Sequence, residues 1–303
     1  MKKINVLLLA STALAAANYT EAQTWTQTTA PTNLWYAAAS SADGSKLVVA
    51  AGGPASAGPI LTSTNGGADW GSNTVSSLHW TSVAISADGS RLAAVADPGS
   101  IYTSADSGAS WSTNSVPSSS WLSIASSADG LKLAAVAFGN RVYLSTNEGA
   151  TWATNTAPVA DLQRIVCSAD GTRLVAGNNV GTIIFSTNSG ATWTQSSNSL
   201  SRGVIALAAS ANGRKLVAIN AAPSIYASTN GGKTWALSGA PSISSWIGVA
   251  VSADGSRLAA VCQKSGIYSS TDFGKSWVSN NAPQSVWQAV ASSADGCRSV
   301  AVR

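Results

Sequence analysis

The 303-residue sequence is poor in the side chains that most catalytic and metal sites use. It has one histidine, His79, two glutamates, Glu21 and Glu148, and only 10% charged residues. A serine–histidine–aspartate triad would have a single base to draw on. The three cysteines fit neither a zinc-site spacing nor a disulfide framework: Cys167, Cys262 and Cys297. The sequence therefore predicts no metal and no cofactor.

Charge and composition exclude further classes. The net charge of +4 is small and evenly spread, so nucleic acid is not an expected partner. The scarcity of glutamate, together with 27 glycines and abundant Ser, Thr and Ala, disfavours helices. Small and β-branched residues between frequent turn residues are typical of short strands instead.

The N-terminal 22 residues have the form of a secretory signal. Lys2 and Lys3 precede an apolar run from Ile4 to Leu9, and small residues follow. We expect cleavage between Ala17 and Ala22, which leaves residues 23–303 as the mature chain. No other stretch is apolar enough to span a membrane. The expected location is outside the cytoplasm: secreted, periplasmic or on the cell surface, as a monomer.

An eight-residue segment is repeated six times along the chain. Examples are "STNGGADW" from Ser63 and "STNSGATW" from Ser186. Its third position is Asn or Asp, with spacings of 41, 41, 41, 42 and 42 residues: Asn65, Asp106, Asn147, Asn188, Asn230 and Asp272. Short strands between turns at such a period predict an all-β propeller with four strands in each blade.

A second motif, "ADG" followed by a cation two residues later, alternates with the first. One unit shows how both motifs divide a blade. Strand A runs from Trp80 to Ser86, strand B from Arg91 to Ala96, strand C from Ser100 to Ser104, and strand D begins at Trp111. The Asn or Asp side chain of the eight-residue turn is expected to accept backbone N–H groups, and its Gly supplies a positive φ.

These six turns resemble the Asp box, S-x-D/N-x-G-x-x-W, also called the BNR repeat. The resemblance extends from about Trp25 to the C-terminus. It implies a β-propeller of the superfamily that includes sialidases, Vps10-type receptors and the photosystem II assembly propeller. In such proteins the box is typically structural and does not name an activity, so it implies a fold without implying a function.

Six blades are complete, with strand A beginning at Trp35, Trp80, Trp121, Leu162, Val204 and Trp246. The C-terminus supplies strands A and B of a seventh blade, and "TWTQTT" from Thr24 resembles its strand D. We therefore expect a seven-bladed ring that pairs the two ends of the chain. Its strand C comes either from residues 17–23 or from a longer natural chain.

The carboxylates needed for glycoside hydrolysis are scarce. Nearly all belong to the repeated turns, and only Asp97 and Asp161 remain for the opposite face, in loops of different blades. Two facing carboxylates about 5–10 Å apart would be needed. The resemblance to sialidases brings no catalytic residue: the off-repeat arginines are Arg141, Arg164 and Arg202, but no spare glutamate accompanies them, and the tyrosines recur as structural positions of strand C. We predict no catalytic residues.

Two rings of side chains are candidate binding surfaces. Five tryptophans begin strand A and could stack on a sugar or a peptide, with Arg164 and Arg202 orienting an anionic or hydroxyl-rich group: Trp35, Trp80, Trp121, Trp246 and Trp287. The alternative is that each indole fills the space between two blades. If the indoles bind ligand, Trp121→Ala should weaken binding and destabilise the fold less than Trp152→Ala.

The second ring is basic and follows the "ADG" turns. We expect six of these seven cations to pair with the Asp of their own turn, within a structural ring, while the turn of the fifth has Asn212 instead: Lys46, Arg91, Lys132, Arg173, Lys215, Arg257 and Arg298. The function predicted from these observations is a secreted, non-catalytic propeller that binds a glycan or a protein. The alternatives are a divergent extracellular glycoside hydrolase and a structural segment of a larger surface protein.

Overall fold

The computed structural model of the chain describes residues 25–53, 56–73, 75–139, 141–243, 245–263, 265–280 and 282–303, and the backbone of residues 7–10. Every regular element in these ranges is a β-strand. The described residues contain no helix with the length and hydropathy needed to cross a membrane. Residues 17–23, from which one strand was expected, lie outside the described ranges.

Six four-stranded antiparallel sheets follow one another along the chain, each formed by one contiguous segment. We call them blades 1–6, with strands A to D in chain order. The innermost strand of each, strand A, is β3 (Trp35–Ser40), β7 (Trp80–Ile85), β11 (Trp121–Ser126), β15 (Leu162–Cys167), β19 (Val204–Ala209) or β23 (Trp246–Val251). All six begin at the residues expected from the sequence.

The other strands complete each blade outward. Strand B is β4 (Leu47–Ala51), β8 (Leu92–Ala96), β12 (Leu133–Ala137), β16 (Leu174–Asn178), β20 (Leu216–Asn220) or β24 (Leu258–Cys262). Strand C is β5 (Ile60–Ser63), β9 (Ile101–Ser104), β13 (Arg141–Ser145), β17 (Ile183–Ser186), β21 (Ile225–Ser228) or β25 (Gly266–Ser270). Strand D is β6 (Gly71–Ser72), β10 (Ser112–Thr113), β14 (Ala153–Thr156), β18 (Thr194–Gln195), β22 (Ala236–Leu237) or β26 (Val278–Ser279).

The hydrophobic core lies between the blades. Every residue of the six B strands is buried. Their sequences are continuous apolar runs such as "LAAVA", because a sheet covered on both faces does not alternate polar and apolar residues. Buried clusters combine two neighbouring blades: Val95 and Ile101 of blade 2, for example, pack with Trp121 and Ile124 of blade 3.

The two ends of the chain meet in a further four-stranded sheet, the terminal sheet. Its order is β2 (Trp25–Gln27), β1 (Leu7–Ala10), β28 (Arg298–Val302) and β27 (Ala289–Ser292). The strand between β2 and β28 is thus drawn from residues 7–10, within the segment expected to be a signal peptide. Val300 and Val302 of β28 pack on blade 1, and Ala301 packs on blade 6. Trp287, which was expected to begin a strand, lies two residues before β27 and also packs on blade 6.

A ring of backbone hydrogen bonds joins the A–B turns. The N–H of the turn alanine in each blade donates to the carbonyl of the equivalent alanine in the next blade. Seven such bonds of 2.7–2.8 Å join Ala42, Ala87, Ala128, Ala169, Ala211, Ala253 and Ala294 in turn, and the last returns from Ala294 to Ala42. Each bond satisfies a turn N–H that no strand ladder reaches.

Candidate functional site: the loop face and the central channel

The repeated eight-residue turns form closed polar networks. In blade 3, Ser145 Oγ accepts the N–H of Gly149 at 2.9 Å, and Asn147 Oδ1 accepts the N–H of Thr151 at 2.9 Å. The Trp152 Nε1–H then donates to the Gly149 carbonyl at 2.9 Å. Because the polar groups of the turn bond mainly within the turn, this arrangement stabilises the loop between strands C and D.

The turn requires two consecutive residues with positive φ. Gly149 and its equivalents have φ near 90°, as expected. The preceding residue is also left-handed, although it is glycine in only two of the six turns: Gly66, Ser107, Glu148, Ser189, Gly231 and Phe273. Non-glycine residues adopt this conformation at a cost, so the hydrogen bonds of the turn hold the backbone there.

The A–B turns use their aspartates in a similar way. Ser41 Oγ donates to Asp43 Oδ1 at 2.6 Å, and the Ser45 N–H donates to the same oxygen at 3.0 Å. These bonds favour the ionised carboxylate and lower the pKa of Asp43 to about 2. The Asp170 turn behaves alike, with its pKa lowered to about 2, first by the Ser168 hydroxyl.

The basic ring bridges neighbouring blades, which corrects the expectation that its cations pair with the Asp of their own turns. Lys132 Nζ donates to the Asp170 carbonyl of the next blade at 2.8 Å, and Lys215 Nζ donates to the Asp254 carbonyl at 3.0 Å. The stem of Lys132 also lies over Gly171, where an added Cβ would come within 2.7 Å of it. A turn glycine is needed here because a side chain would collide with this stem.

The five inner tryptophans are fully buried, with 0–1% of each side chain exposed. Trp121 packs edge-on against Tyr143 of its own blade at 4.6 Å between ring centroids, and Trp246 packs against Tyr268 at 5.0 Å. A side chain with no exposed face cannot stack on a ligand in this structure. The geometry therefore supports the alternative, in which Trp35, Trp80, Trp121, Trp246 and Trp287 fill the space between blades.

The face opposite the repeated turns carries the B–C and D–A loops, and we call it the loop face. These loops bond to one another: the Phe138 N–H donates to the Ser120 carbonyl at 2.8 Å, and the Gly52 N–H donates to the Leu34 carbonyl at 2.8 Å. Of the seven large apolar side chains that are exposed in the described ranges, four lie on this face: Leu34, Phe138, Val180 and Val286.

The remaining ionisable groups of interest also lie on the loop face but do not form a cluster. Asp97 follows strand B of blade 2, and its N–H bonds the His79 carbonyl. Asp161 precedes strand A of blade 4, so blade 3 lies between the two carboxylates. His79 contacts the Gly53 carbonyl through Nδ1 at 3.2 Å. Arg202 is exposed in the loop that precedes blade 5.

Arg164 is the one predicted site residue that lies in the central channel. Its Nε–H donates to the Ile205 carbonyl of blade 5 at 2.8 Å, and Nη1 donates to the Gln163 carbonyl at 2.8 Å. The Tyr36 side chain of blade 1 lies close to the guanidinium. Blades 1 and 4 are not neighbours, so this interaction crosses the channel. Burial lowers the pKa of Arg164, and Tyr36 partly opposes the shift.

A β-bulge near the start of strand A helps to set the direction of side chains such as Arg164. In each of the six blades the register shifts between the first and third residues of strand A. Bulges re-aim side chains and are common next to functional sites. The third position is Arg164 in blade 4 but a small residue elsewhere: Ala37, Ser82, Ser123, Ala206 and Gly248. The small neighbours leave room for one guanidinium.

Sequence reasoning missed Tyr36 and the exposed apolar residues of the loops. A comparison of equivalent positions between blades could have found them. The residue after strand B is Phe138 in blade 3, while the corresponding positions in the other blades hold small or polar residues, such as Gly52, Asp97 and Ala221. Positions that differ between otherwise similar repeats are not dictated by the shared fold, so functional residues are expected among them.

Comparisons with known proteins agree on the architecture. No family description matches the sequence, and no curated protein matches it. Among solved structures, YCF48 from Cyanidioschyzon merolae aligns with a TM-score of 0.64 at 13% identity, over 89% of this chain and 95% of that one. This similarity confirms a β-propeller, and at such identity it shows the fold alone.

Two glycoside hydrolase family 74 structures align over a smaller share of their length. The xyloglucanase from Xanthomonas campestris has a TM-score of 0.60 at 17% identity, over 79% of this chain and 45% of that one. An ancestral enzyme of the same family has a TM-score of 0.62 at 16% identity, over 78% and 36%. The chain therefore spans less than half the length of either enzyme.

Proposed function

We propose that the chain is a non-catalytic binding module that contacts a partner through its loop face. The observation that carries this proposal is the set of exposed apolar side chains on that face, with Phe138 67% and Val180 65% exposed. Four of the seven exposed large apolar side chains in the described ranges lie on this face, and exposed apolar surface is typical of interaction sites where it is contiguous. The Asn and Asp side chains of the repeated turns on the opposite face bond mainly within their own turns.

A protein segment is the partner that the loop face favours, with a glycan as the second class. Sugar rings stack on aromatic faces, but the five inner indoles are buried. The exposed set contains one aromatic residue, Phe138, and three aliphatic ones. The support for a glycan is the xyloglucanase among the structural neighbours, whose name states that it acts on one.

The proposed scaffold is a seven-bladed ring of Asp-box type. Its support is the alanine hydrogen-bond ring, which returns from Ala294 to Ala42, and the packing of the terminal sheet on blades 1 and 6. We also propose export as a secreted, periplasmic or cell-surface monomer. Cleavage after residue 22 would remove β1 and leave β28 and β2 as edges, while the contacts of β27 and β28 with blades 1 and 6 would remain.

A screen on arrays of glycans and peptides, with the array products analysed for cleavage, tests this function. Purified residues 23–303 should be retained on at least one probe and should leave every probe intact. Retention without cleavage is expected because Asp97 and Asp161 are separated by a blade. Cleavage of any glycan would show that the chain is an enzyme and not a non-catalytic binding module. A complete lack of retention would contradict both proposed partner classes, the protein segment and the glycan.

A further inference from the structure

Arg164 is a cation in an enclosed position without a counter-ion in the described part of the chain. The only ion pair found there joins Arg91 to Glu148 on the opposite face. A charged group removed from bulk water is costly unless it is paired. Two backbone carbonyls accept hydrogen bonds from the Arg164 guanidinium, and the Tyr36 side chain lies close to it, but none of these groups carries a full negative charge.

The donors of the guanidinium are only partly used. An arginine side chain offers five N–H groups. One Nε–H goes to Ile205 and one Nη1–H goes to Gln163. Even with one donor directed to Tyr36, two N–H groups remain at the end of the guanidinium. The end of an arginine side chain has the geometry that binds a carboxylate through two parallel hydrogen bonds.

Arg164 is the only cation in the six A strands. The equivalent positions in the other blades are Ala, Ser or Gly, so no second long side chain occupies this position of the ring. At the A–B end, the channel opens into a cavity of ≈ 250 Å³ lined by residues such as Ser41, Ala42 and Ser86, with no charged side chain. Arg164 lies near the start of strand A, so a ligand would reach it from the loop face.

We propose that Arg164 binds a single carboxylate group, which enters the central channel from the loop face and also contacts the Tyr36 hydroxyl. One guanidinium neutralises one negative charge, so a carboxylate fits better than a phosphate dianion. The carboxylate belongs either to a small organic acid or to an acidic residue of a bound peptide. This inference rests on the proposed binding function and names the group that the site recognises.

The test uses small probes, so that it can fail independently of the array screen. Thermal unfolding of the full 303-residue chain is followed in sodium acetate and in sodium chloride at equal ionic strength. A second pair of probes is a blocked Gly-Glu-Gly tripeptide and its Gly-Gln-Gly counterpart. Acetate or the Glu peptide should raise the melting temperature, and chloride or the Gln peptide should not, because only a ligand of the native state stabilises it.

Three variants locate the effect. Arg164→Met should abolish the stabilisation by acetate or the Glu peptide, and Tyr36→Phe should weaken the apparent affinity about tenfold, since it removes one hydrogen bond to a charged group. Arg141→Met is the matched control, because Arg141 is an exposed arginine at the start of β13. It should respond as the wild type does.

Each result of the thermal-unfolding test has one interpretation. An effect of acetate alone identifies a small organic acid, and an effect of the Glu peptide alone identifies a peptide carboxylate. An equal response of Arg164→Met and wild type would overturn the proposal, as would a wild type that responds to neither carboxylate. If Arg164→Met does not fold, Tyr36→Phe decides: affinity equal to that of the wild type would exclude the site as described.

Discussion

Replacing Trp121 by alanine is expected to lower the free energy of unfolding by about 3–5 kcal/mol, the usual cost of truncating a fully buried aromatic side chain. Trp121 is 0% exposed and packs in the interface of blades 2 and 3, edge-on against Tyr143. Chemical unfolding of the mature chain, monitored by circular dichroism, measures the loss. Blade interfaces are the core of this fold, so the whole ring should unfold at lower denaturant.

Trp152→Ala provides the matched comparison within the same blade. Trp152 is only partly buried, and its loss removes one hydrogen bond to Gly149 together with part of a packing surface. We expect it to cost about half as much as Trp121→Ala. This order reverses the one that follows from the tryptophans as a ligand-stacking surface. A larger loss in the free energy of unfolding for Trp152→Ala than for Trp121→Ala would show that Trp121 does not fill the space between two blades.

Acidification is expected to destabilise the protein strongly between pH 4 and pH 2. The pKa of eight aspartates is lowered in the folded state, mainly by neighbouring serine hydroxyls and backbone N–H groups: Asp43, Asp88, Asp106, Asp129, Asp170, Asp254, Asp272 and Asp295. In the unfolded chain these groups titrate near 3.8, so unfolding near pH 3 takes up protons.

The direction of the pH effect on stability follows from the difference between the folded and unfolded pKa values. The stabilisation is complete above about pH 5, where both states are ionised, and it is lost as the pH falls through the lower folded-state pKa values, about 2 for Asp43 and Asp170. Melting curves from pH 6 to pH 2 should show the temperature falling by on the order of 10 °C or more. Asp170→Asn, which copies the natural Asn212 turn, should flatten the profile slightly. A melting temperature independent of pH below 4 would contradict the turn networks.

The blades could be predicted from the sequence because the residues that determine each turn are close together in the chain. Each eight-residue turn contains its own serine, Asn or Asp, glycine and tryptophan, so its structure does not depend on distant residues. The starts of strand A were predicted correctly in all six blades, from Trp35 to Trp246. Strand B, predicted to begin at Arg91, begins one residue later at Leu92.

The candidate site was harder to predict because it depends on how blades are arranged around the channel. The sequence marks Trp121 as the first residue of strand A, but only packing decides whether the indole is exposed or buried. Likewise, the partner of Lys132 lies 38 residues away in the next turn. The contact between Arg164 and Tyr36 joins two non-adjacent blades, and no spacing within one repeat indicates it.

The strand between β2 and β28 was predicted least well. Residues 7–10 have the apolar pattern of a signal peptide, and the same pattern suits a buried strand. The structure pairs Leu8 with Val300 and Leu9 with Ser299. A short apolar run is compatible with a signal peptide and with a β-strand, because both need hydrophobic residues: the first for recognition by an export pathway, the second for packing in a sheet.

The most direct test of the central claim compares exposed apolar side chains at two different places on the molecule. The double variant Phe138→Ser/Val180→Ser changes the loop face, and Leu237→Ser/Val278→Ser changes exposed residues of the outer D strands. Affinity for a probe retained in the array screen is measured by calorimetry for both variants and the wild type. The loop-face variant should bind at least about tenfold more weakly, and the outer-strand variant should match the wild type. Unchanged binding by the loop-face variant, with loss of binding by the outer-strand variant, would place the binding surface elsewhere.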